Sequence, residues 1–104
     1  MARKKFSTLT EPMFYLLMSV MHEARCGTDI SEYIRKRSGG RVQLGPGTLY
    51  ALLSDFEEEK VIAYVGMEGK RKLYAITDYG KSLYRAELAR LKQCVLDAEK
   101  EETE

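Results

Sequence analysis

The sequence predicts a mainly α fold with one small β-hairpin, and three stretches of the chain support this prediction. Between residues 44 and 59, apolar side chains recur at the spacing of one buried helix face. These side chains are Leu49, Leu52, Leu53 and Phe56. Residues 62–66 and 72–77 are strand-like runs joined by a turn at residues 67–71. A final helix follows, so the order of elements is typical of a winged helix-turn-helix with a C-terminal helix.

The 104 residues suffice for one domain near the small end of what a single core supports. We predict four segments within it. They are a flexible basic arm at residues 1–8, a winged helix domain at 9–77, a dimerisation helix at 78–101 and an acidic tail at 102–104.

Charge is distributed unevenly along the chain. The formal net charge is only +1, but residues 97–104 contain five acids and one base. The rest of the chain holds 16 basic and 11 acidic residues, a net charge of +5. The acidic end therefore masks a moderately basic body, which is compatible with a nucleic-acid partner.

Two helices are predicted ahead of the central one. Thr10 is a suitable N-cap for the first, with Pro12 in its opening turn. Thr28 is predicted to cap the second, which ends in the bases of residues 35–37 and stops at residues 38–40. These bases either contact phosphates or form a solvated C-terminal turn. Phe14 and Met18 flank the buried stripe of the first helix, where either the core or a partner subunit covers them.

The central helix begins with Gly45 and Pro46, and proline is well placed in a first helical turn. Its entry is small and polar, so its free N–H groups can approach a phosphate or a groove closely. A surface helix over a core would show the same periodicity. The hairpin that follows favours the DNA-binding interpretation, because Lys70, Arg71 and Lys72 place three bases at its tip. The alternative for these bases is a solubilising turn.

The last helix is predicted to begin at Thr77 as its cap. An apolar seam runs along it at alternating spacings of four and three, as in a coiled coil. Its members are Tyr84, Leu88, Leu91, Val95 and Ala98. A domain this small has little core left for such a helix to cover, so self-association is favoured over packing within the chain.

The run GPGTLYALLSDFEEEKVI at residues 45–62, followed by EGKRKLYAITDYG at 68–80, resembles the PadR family of bacterial transcriptional regulators. The upstream run LTEPMFYLLMSV matches the family's first helix, and the resemblance covers residues 9–100. One departure is Lys60, where the family usually has a glycine suited to a left-handed helix end. The short C-terminal region resembles the subgroup with a single terminal helix.

The resemblance implies that Pro46, Gly47, Thr48 and Tyr50 form the DNA-facing start of the recognition helix. Tyr50 either offers its phenol to DNA or serves as a half-buried core aromatic. We include Arg41, in the segment leading into this helix, among the DNA-binding residues. No Arg, Asn or Gln stands early in the helix, so specificity is expected to rest on apolar contacts, DNA shape and the wing.

Several other classes of protein are disfavoured. The single histidine, His22, has no nucleophile at a motif spacing, and the chain has no glycine-rich phosphate loop, so no catalytic site is predicted. Cys26 and Cys94 are too few for a four-ligand metal site without carboxylates, and we expect free thiols in a reducing cytoplasm. The apolar run before Cys26 is too short to span a bilayer.

The sequence therefore predicts a homodimeric, sequence-specific DNA-binding regulator acting on a pseudo-palindromic operator, without a cofactor. The resemblance implies a repressor that responds to a small aromatic or hydrophobic effector near the dimer interface, although the chain has no tryptophan to stack on a flat drug. The alternative is a winged helix that binds another protein and no DNA.

Overall fold

A computed structural model describes residues 8–103 of the chain. Within them the chain forms four helices and three strands. In order these are α1 (Glu11–Ser19), β1 (Arg25–Cys26), α2 (Gly27–Arg37), α3 (Pro46–Glu58), β2 (Ile62–Glu68), β3 (Arg71–Ile76) and α4 (Asp78–Thr103). The mainly α fold with a small hairpin is thereby confirmed. Of the basic arm predicted at residues 1–8, residues 1–7 lie outside the described residues. Glu104 also lies outside them.

The core lies where the faces of α1, α2 and α3 meet the sheet. Burying apolar side chains in one cluster is the main favourable contribution to folding. As the periodicity of α3 predicts, Leu49, Leu53 and Phe56 are buried and Leu52 is partly buried. The fully buried side chains outside α3 are Leu16, Leu17, Ser19, Val20, Cys26, Ile30, Ile34, Val61 and Ile62.

The sheet has one more strand than the sequence predicts. Its order is β1-β3-β2 and all pairs are antiparallel, with Arg25 opposite Tyr74 and Tyr74 opposite Tyr64. No strand is predicted at Arg25 and Cys26, because two residues are too few to show alternation. This short strand fixes the start of α2 against the hairpin.

The cap of α2 also differs from the prediction. The helix begins at Gly27 with Cys26 as its N-cap, and no side chain caps its first turn. Thr28 therefore lies one step inside the helix, and its hydroxyl contacts the Cys26 sulfur at 3.3 Å. By contrast, the predicted cap of α1 is confirmed, because the Thr10 hydroxyl accepts a hydrogen bond from the Met13 N–H at 3.4 Å.

The turn of the hairpin is shorter than predicted. It consists of Gly69 and Lys70, and Glu68 pairs directly with Arg71 across it. Arg71 and Lys72 therefore belong to β3 instead of the tip, and neighbouring side chains in a strand point to opposite faces. A two-residue turn requires a residue with positive φ, which Gly69 supplies at 62°.

The turn from α3 into β2 and the start of α4 form one junction. Lys60 adopts a left-handed conformation, with φ of 64°. The Thr77 hydroxyl donates toward the carbonyl oxygens of Lys60 and Val61, at 2.7 and 2.9 Å, and accepts from the Gly80 N–H at 3.0 Å. Thr77 is thus the cap of α4, as predicted, and also ties that helix to the end of α3.

α4 has 26 residues and extends through Thr103, past the predicted end at residue 101. At about 1.5 Å per residue its length is about 39 Å. We call residues 78–88 its inner half and residues 89–103 its outer half. The outer half is exposed at every residue. Among residues 8–103, no helix combines the length and apolar character needed to cross a membrane.

Candidate nucleic-acid interface

The start of α3 is open to solvent. Gly45 is its N-cap and Pro46 stands in its first turn, and glycine has no side chain with which to cap the helix. Pro46, Gly47 and Thr48 are all exposed. Their positions match the prediction of a small, accessible helix entry, which leaves backbone N–H groups available to an anion.

Tyr50 lies between the two roles that the sequence left open. Its side chain is 50% exposed, so it is not a core aromatic. It nevertheless packs against the start of α2, because a Cβ at position 27 would lie only 2.6 Å from the Tyr50 hydroxyl oxygen. Glycine at position 27 therefore allows the phenol to rest against the backbone of α2.

The three wing bases occupy different positions. We call β2, β3 and their turn the wing. Lys70 lies in the turn, the Arg71 guanidinium reaches the Thr28 hydroxyl at 3.4 Å, and the Lys72 ammonium is 5.8 Å from the centroid of the Tyr64 ring. Arg71 thus connects the wing to α2, and Lys72 makes a cation–π contact within the wing.

These groups meet in one depression of about 250 Å³, which we call the wing cleft. It is lined by residues 26–28 at the start of α2, by Tyr50 of α3, and by residues 70–72 and Tyr74 of the wing. The structure therefore brings Tyr50 and all three predicted wing bases together. The other predicted residues of α3 do not line the cleft.

Two lining residues that carry a hydroxyl, Thr28 and Tyr74, were not predicted as functional. Thr28 was expected only as a cap, and Tyr74 only as a strand residue. Tyr74 is 6% exposed, and burial, together with the nearby Glu57 carboxylate, raises the pKa of its phenol. The phenol therefore stays protonated and able to donate at neutral pH. No signal in the sequence places either residue beside Tyr50, because the contact joins three elements distant along the chain.

Arg41 lies elsewhere. Its guanidinium forms an ion pair with Glu11 at 2.5 Å and donates a hydrogen bond to the Tyr15 hydroxyl at 3.2 Å. These contacts attach it to α1 and leave it outside the wing cleft. A DNA contact by Arg41 stays a prediction, and such a contact would have to compete with Glu11.

The bases at the end of α2 are partly neutralised. Arg35 and Lys36 both form ion pairs with Glu32, at 2.6 and 3.6 Å. The hydrogen bond from Arg35 lowers the pKa of the Glu32 carboxyl. This arrangement favours the solvated-turn interpretation for Arg35 and Lys36.

The predicted dimer residues fall into two groups. Phe14 stacks on Tyr84 within the chain, with ring centroids 4.8 Å apart and planes 7° from parallel. Met18 and Leu88 are partly buried as well. The second group is exposed on the outer half of α4 and consists of Leu91, Val95 and Ala98. Leu96, which the seam did not include, is 53% exposed beside them.

A buried carboxylate marks the end of the inner half. Glu87 is 4% exposed, and its carboxylate accepts a hydrogen bond from Arg90 at 3.0 Å and another from the backbone N–H of Leu9. The bond from Arg90 is the main cause that lowers the pKa of Glu87, and the Leu9 N–H acts in the same direction. Glu87 thereby ties the segment before α1 to α4.

The cysteines are free, with Cys26 buried and Cys94 exposed. Potential ligand atoms of Cys26, Asp29 and Glu68 lie within 4.8 Å of one another. Three ligands fall short of the four of a structural zinc site, and both carboxylates are exposed. His22 is exposed and outside this cluster.

Comparison with known proteins identifies the family. Residues 16–86 match the family described as transcriptional regulator PadR-like. An uncharacterised protein of Lysinibacillus sphaericus is 38% identical over 79 residues, which is 72% of each chain. A transcriptional regulator from Clostridium thermocellum has the same fold, with a TM-score of 0.72 and 23% identity over 85% of this chain and 89% of its own.

Bacillus subtilis PadR, solved in complex with operator DNA, is also similar. Its TM-score is 0.65 at 22% identity, covering 73% of this chain and 45% of that protein. At this identity the two solved structures show the shared fold alone, whereas the family match spans more than half of the sequence. The chain belongs to the PadR-like family of transcriptional regulators.

Proposed function

We propose that the protein binds double-stranded DNA as a homodimer and represses transcription in the cytoplasm until a small molecule releases it. The observation that supports DNA binding best is the wing cleft, where Tyr50 of the recognition helix meets Lys70, Arg71 and Lys72. Bases grouped at a hairpin beside an open helix start are suited to a polyanion, and phosphate contacts dominate the affinity for DNA.

The homodimer is supported by the outer half of α4. Leu91, Val95 and Leu96 are exposed there and form one apolar surface. A second copy is a natural cover, because its own outer half has the same surface. A twofold pair would present two recognition helices about 34–36 Å apart to a pseudo-palindromic operator. The structure of Bacillus subtilis PadR with operator DNA is a precedent for DNA binding by this fold.

Repression and relief by an effector are inferred from the family resemblance. A cleft of about 330 Å³ between α1 and α4 offers a place for a small aromatic or hydrophobic compound. Phe14, Tyr15 and Leu91 contribute apolar surface to its lining. It adjoins the exposed surface of the outer half, so an occupant there could alter the pairing of two copies.

Replacing Lys70, Arg71 and Lys72 together by Ala tests DNA binding. Retardation of labelled duplex DNA should weaken for specific and random sequences alike, because phosphate contacts carry no sequence information. The slope of log affinity against log salt should become shallower by about 0.9 for each lost phosphate contact. Thermal stability should change little, because exposed charges contribute little.

The matched control replaces Lys81, Arg85 and Lys100 of α4 by Ala, which removes the same charge outside the wing cleft. It should keep the parental salt slope. A parent protein that shows no salt-sensitive DNA binding would favour the alternative, a winged helix that binds another protein. Equal losses in the two triple variants would show that net charge, not the wing, governs binding.

A further inference from the structure

We propose that the wing cleft holds a single backbone phosphate of the bound DNA, and that Tyr74 and Thr28 are two of its ligands. This inference rests on the proposed function and specifies which groups contact the DNA backbone. It assigns a binding role to a strand residue and a helix residue that neither the sequence motifs nor the family match identifies.

Tyr74 is the first phosphate ligand proposed for the wing cleft. It is 6% exposed and lines the wing cleft, yet its hydroxyl makes no hydrogen bond to any residue in 8–103. Among the described residues no side-chain oxygen or nitrogen that is buried from solvent lacks a partner, so the Tyr74 hydroxyl itself is open to the solvent of the cleft. Its protonated hydroxyl can donate to a phosphate oxygen in the cleft.

The lining of the wing cleft holds further donors beside Tyr74. The Thr28 hydroxyl is exposed and already lies 3.4 Å from the Arg71 guanidinium. The first turn of α2 carries no side-chain cap, so its N–H groups are free of a competing side-chain acceptor at the N-cap. Tyr50 adds a second phenol. Neutral donors and bases are therefore combined around one small volume.

The charged side chains that line the wing cleft are all basic. Lys70, Arg71 and Lys72 line the cleft, whereas no Asp or Glu among residues 8–103 does. Asp29 and Glu68 lie near Cys26 but outside the lining. An anion within the cleft would therefore meet three cations and three hydroxyls, and no carboxylate of the lining. Because three separate elements supply these groups, the same phosphate would hold α2, the recognition helix and the wing together.

Tyr74→Phe tests this inference, because it removes the hydroxyl and keeps the ring. The probe is a duplex selected by the purified protein from fragmented genomic DNA. Affinity should fall about ten- to a hundredfold, the effect of losing one hydrogen bond to a charged group. Thermal stability should stay unchanged, since the hydroxyl bonds to nothing else in the described chain. Thr28→Val should act in the same direction.

A set of duplexes with one phosphate at a time replaced by an uncharged methylphosphonate then locates the contact. At one position in each half-site, the methylphosphonate should weaken binding by the parent protein. On that duplex, Tyr74→Phe should cause a smaller further loss of affinity than it does on unmodified DNA. The matched control is Tyr79→Phe, the same chemical change on an exposed tyrosine outside the cleft. It should leave affinity unchanged on every duplex.

If Tyr74→Phe bound DNA with the parental affinity, the phosphate assignment would be overturned while DNA binding itself stands. The same holds if Tyr74→Phe lost the same affinity on every duplex of the set. A parent protein that selects no DNA and shows no salt-sensitive retardation would overturn both this inference and the proposed function. The two failures are therefore distinguishable.

Discussion

The inner and outer halves of α4 belong to one uninterrupted helix, yet they are stabilised in different ways. The inner half is capped by Thr77, its Tyr84 ring stacks on Phe14, and the buried Glu87 lies near its end. The outer half contacts little of the described chain and leaves Leu91, Val95 and Leu96 exposed. An isolated helix of about this length is marginal in water without a packed face.

The comparison shows that one periodic pattern can serve two surfaces. Tyr84, Leu88, Leu91, Val95 and Ala98 follow a single alternating spacing. Tyr84 packs against its own domain, whereas Val95 is 55% exposed. Spacing identifies which side of a helix is apolar, but it carries no information about which molecule covers that side. The structure assigns the first part of the stripe to the domain and leaves the rest to the proposed partner.

The largest expected effect comes from breaking the outer half. Leu91→Glu together with Val95→Glu would place like charges against their symmetry mates in a desolvated surface, which is strongly unfavourable. The domain should stay folded because both residues are exposed. We expect a monomer, with operator affinity lower by about a hundredfold or more, because the second half-site loses its high effective concentration. Sedimentation at micromolar concentration and DNA retardation measure both.

A matched control adds the same charge at the same spacing on exposed positions outside the seam, as Ala89→Glu with Gln93→Glu. This variant should remain dimeric. A parent protein that is already monomeric would overturn the dimer proposal. A double variant, Leu91→Glu with Val95→Glu, that stays dimeric would overturn it as well.

Breaking the inner half should instead destabilise the domain. A Cβ at position 80 would lie 2.2 Å from the Val61 carbonyl oxygen and 2.8 Å from the Ile76 side chain. A backbone atom cannot rotate away, so Gly80→Ala must displace the start of α4. The expected loss in the free energy of unfolding is about 2–3 kcal/mol, measured by urea denaturation.

Gly47→Ala serves as its control, because no atom lies within 4 Å of the added Cβ and alanine favours helix. It should leave stability equal or slightly higher. If Gly80→Ala were as stable as the parent, the close packing of α4 on the α3–β2 junction would be wrong.

Most of the fold could be predicted because its elements carry local signals. The stripe of α3, the caps at Thr10 and Thr77 and the alternation of the hairpin each depend on residues a few positions apart. β1 was missed because its two residues pair with β3, which lies more than 40 positions along the chain. The turn predicted at residues 67–71 was too long, because the pairing of Glu68 with Arg71 continues the β2–β3 ladder almost to the tip of the hairpin.

The candidate site was predicted less completely, since it depends on contacts between elements. The motif identified Tyr50 and the wing bases but could not place them in one cleft with Thr28 and Tyr74. Arg41 was included because it precedes the recognition helix, and its ion pair with Glu11 is visible only in three dimensions. Sequence proximity is a weak guide where the chain turns sharply.

Glu87 gives the inner half a dependence on pH. Because its hydrogen bonds from Arg90 and Leu9 lower its pKa, the carboxylate stabilises the fold above the unfolded pKa of about 4.3. That contribution is lost as the pH falls through the lower folded pKa. Glu87→Gln should therefore be about 1 kcal/mol less stable than the parent at pH 7, and the difference should shrink toward pH 3 in urea denaturation.

Glu32→Gln is the control for this comparison. The pKa of Glu32 is also lowered by an arginine three positions on, but its side chain is 49% exposed. Solvent and salt screen such a pair, so the replacement should change stability less at either pH. Equal responses in the two variants would show that the burial of Glu87 contributes nothing.

The smallest expected effect concerns Lys60, whose carbonyl accepts the Thr77 hydroxyl beneath the start of the inner half. Its φ of 64° is unfavourable for any residue with a Cβ, whereas glycine adopts it freely. Lys60→Gly should raise the free energy of unfolding by about 0.5–1 kcal/mol, part of the relief being offset by the greater freedom of glycine in the unfolded chain. Lys60→Ala, which keeps the Cβ, should match the parent in urea denaturation. If Lys60→Gly were no more stable than Lys60→Ala, Lys60 would not adopt the left-handed conformation. The inner half would then not be joined to the end of α3 through the hydrogen bonds of Thr77 described above.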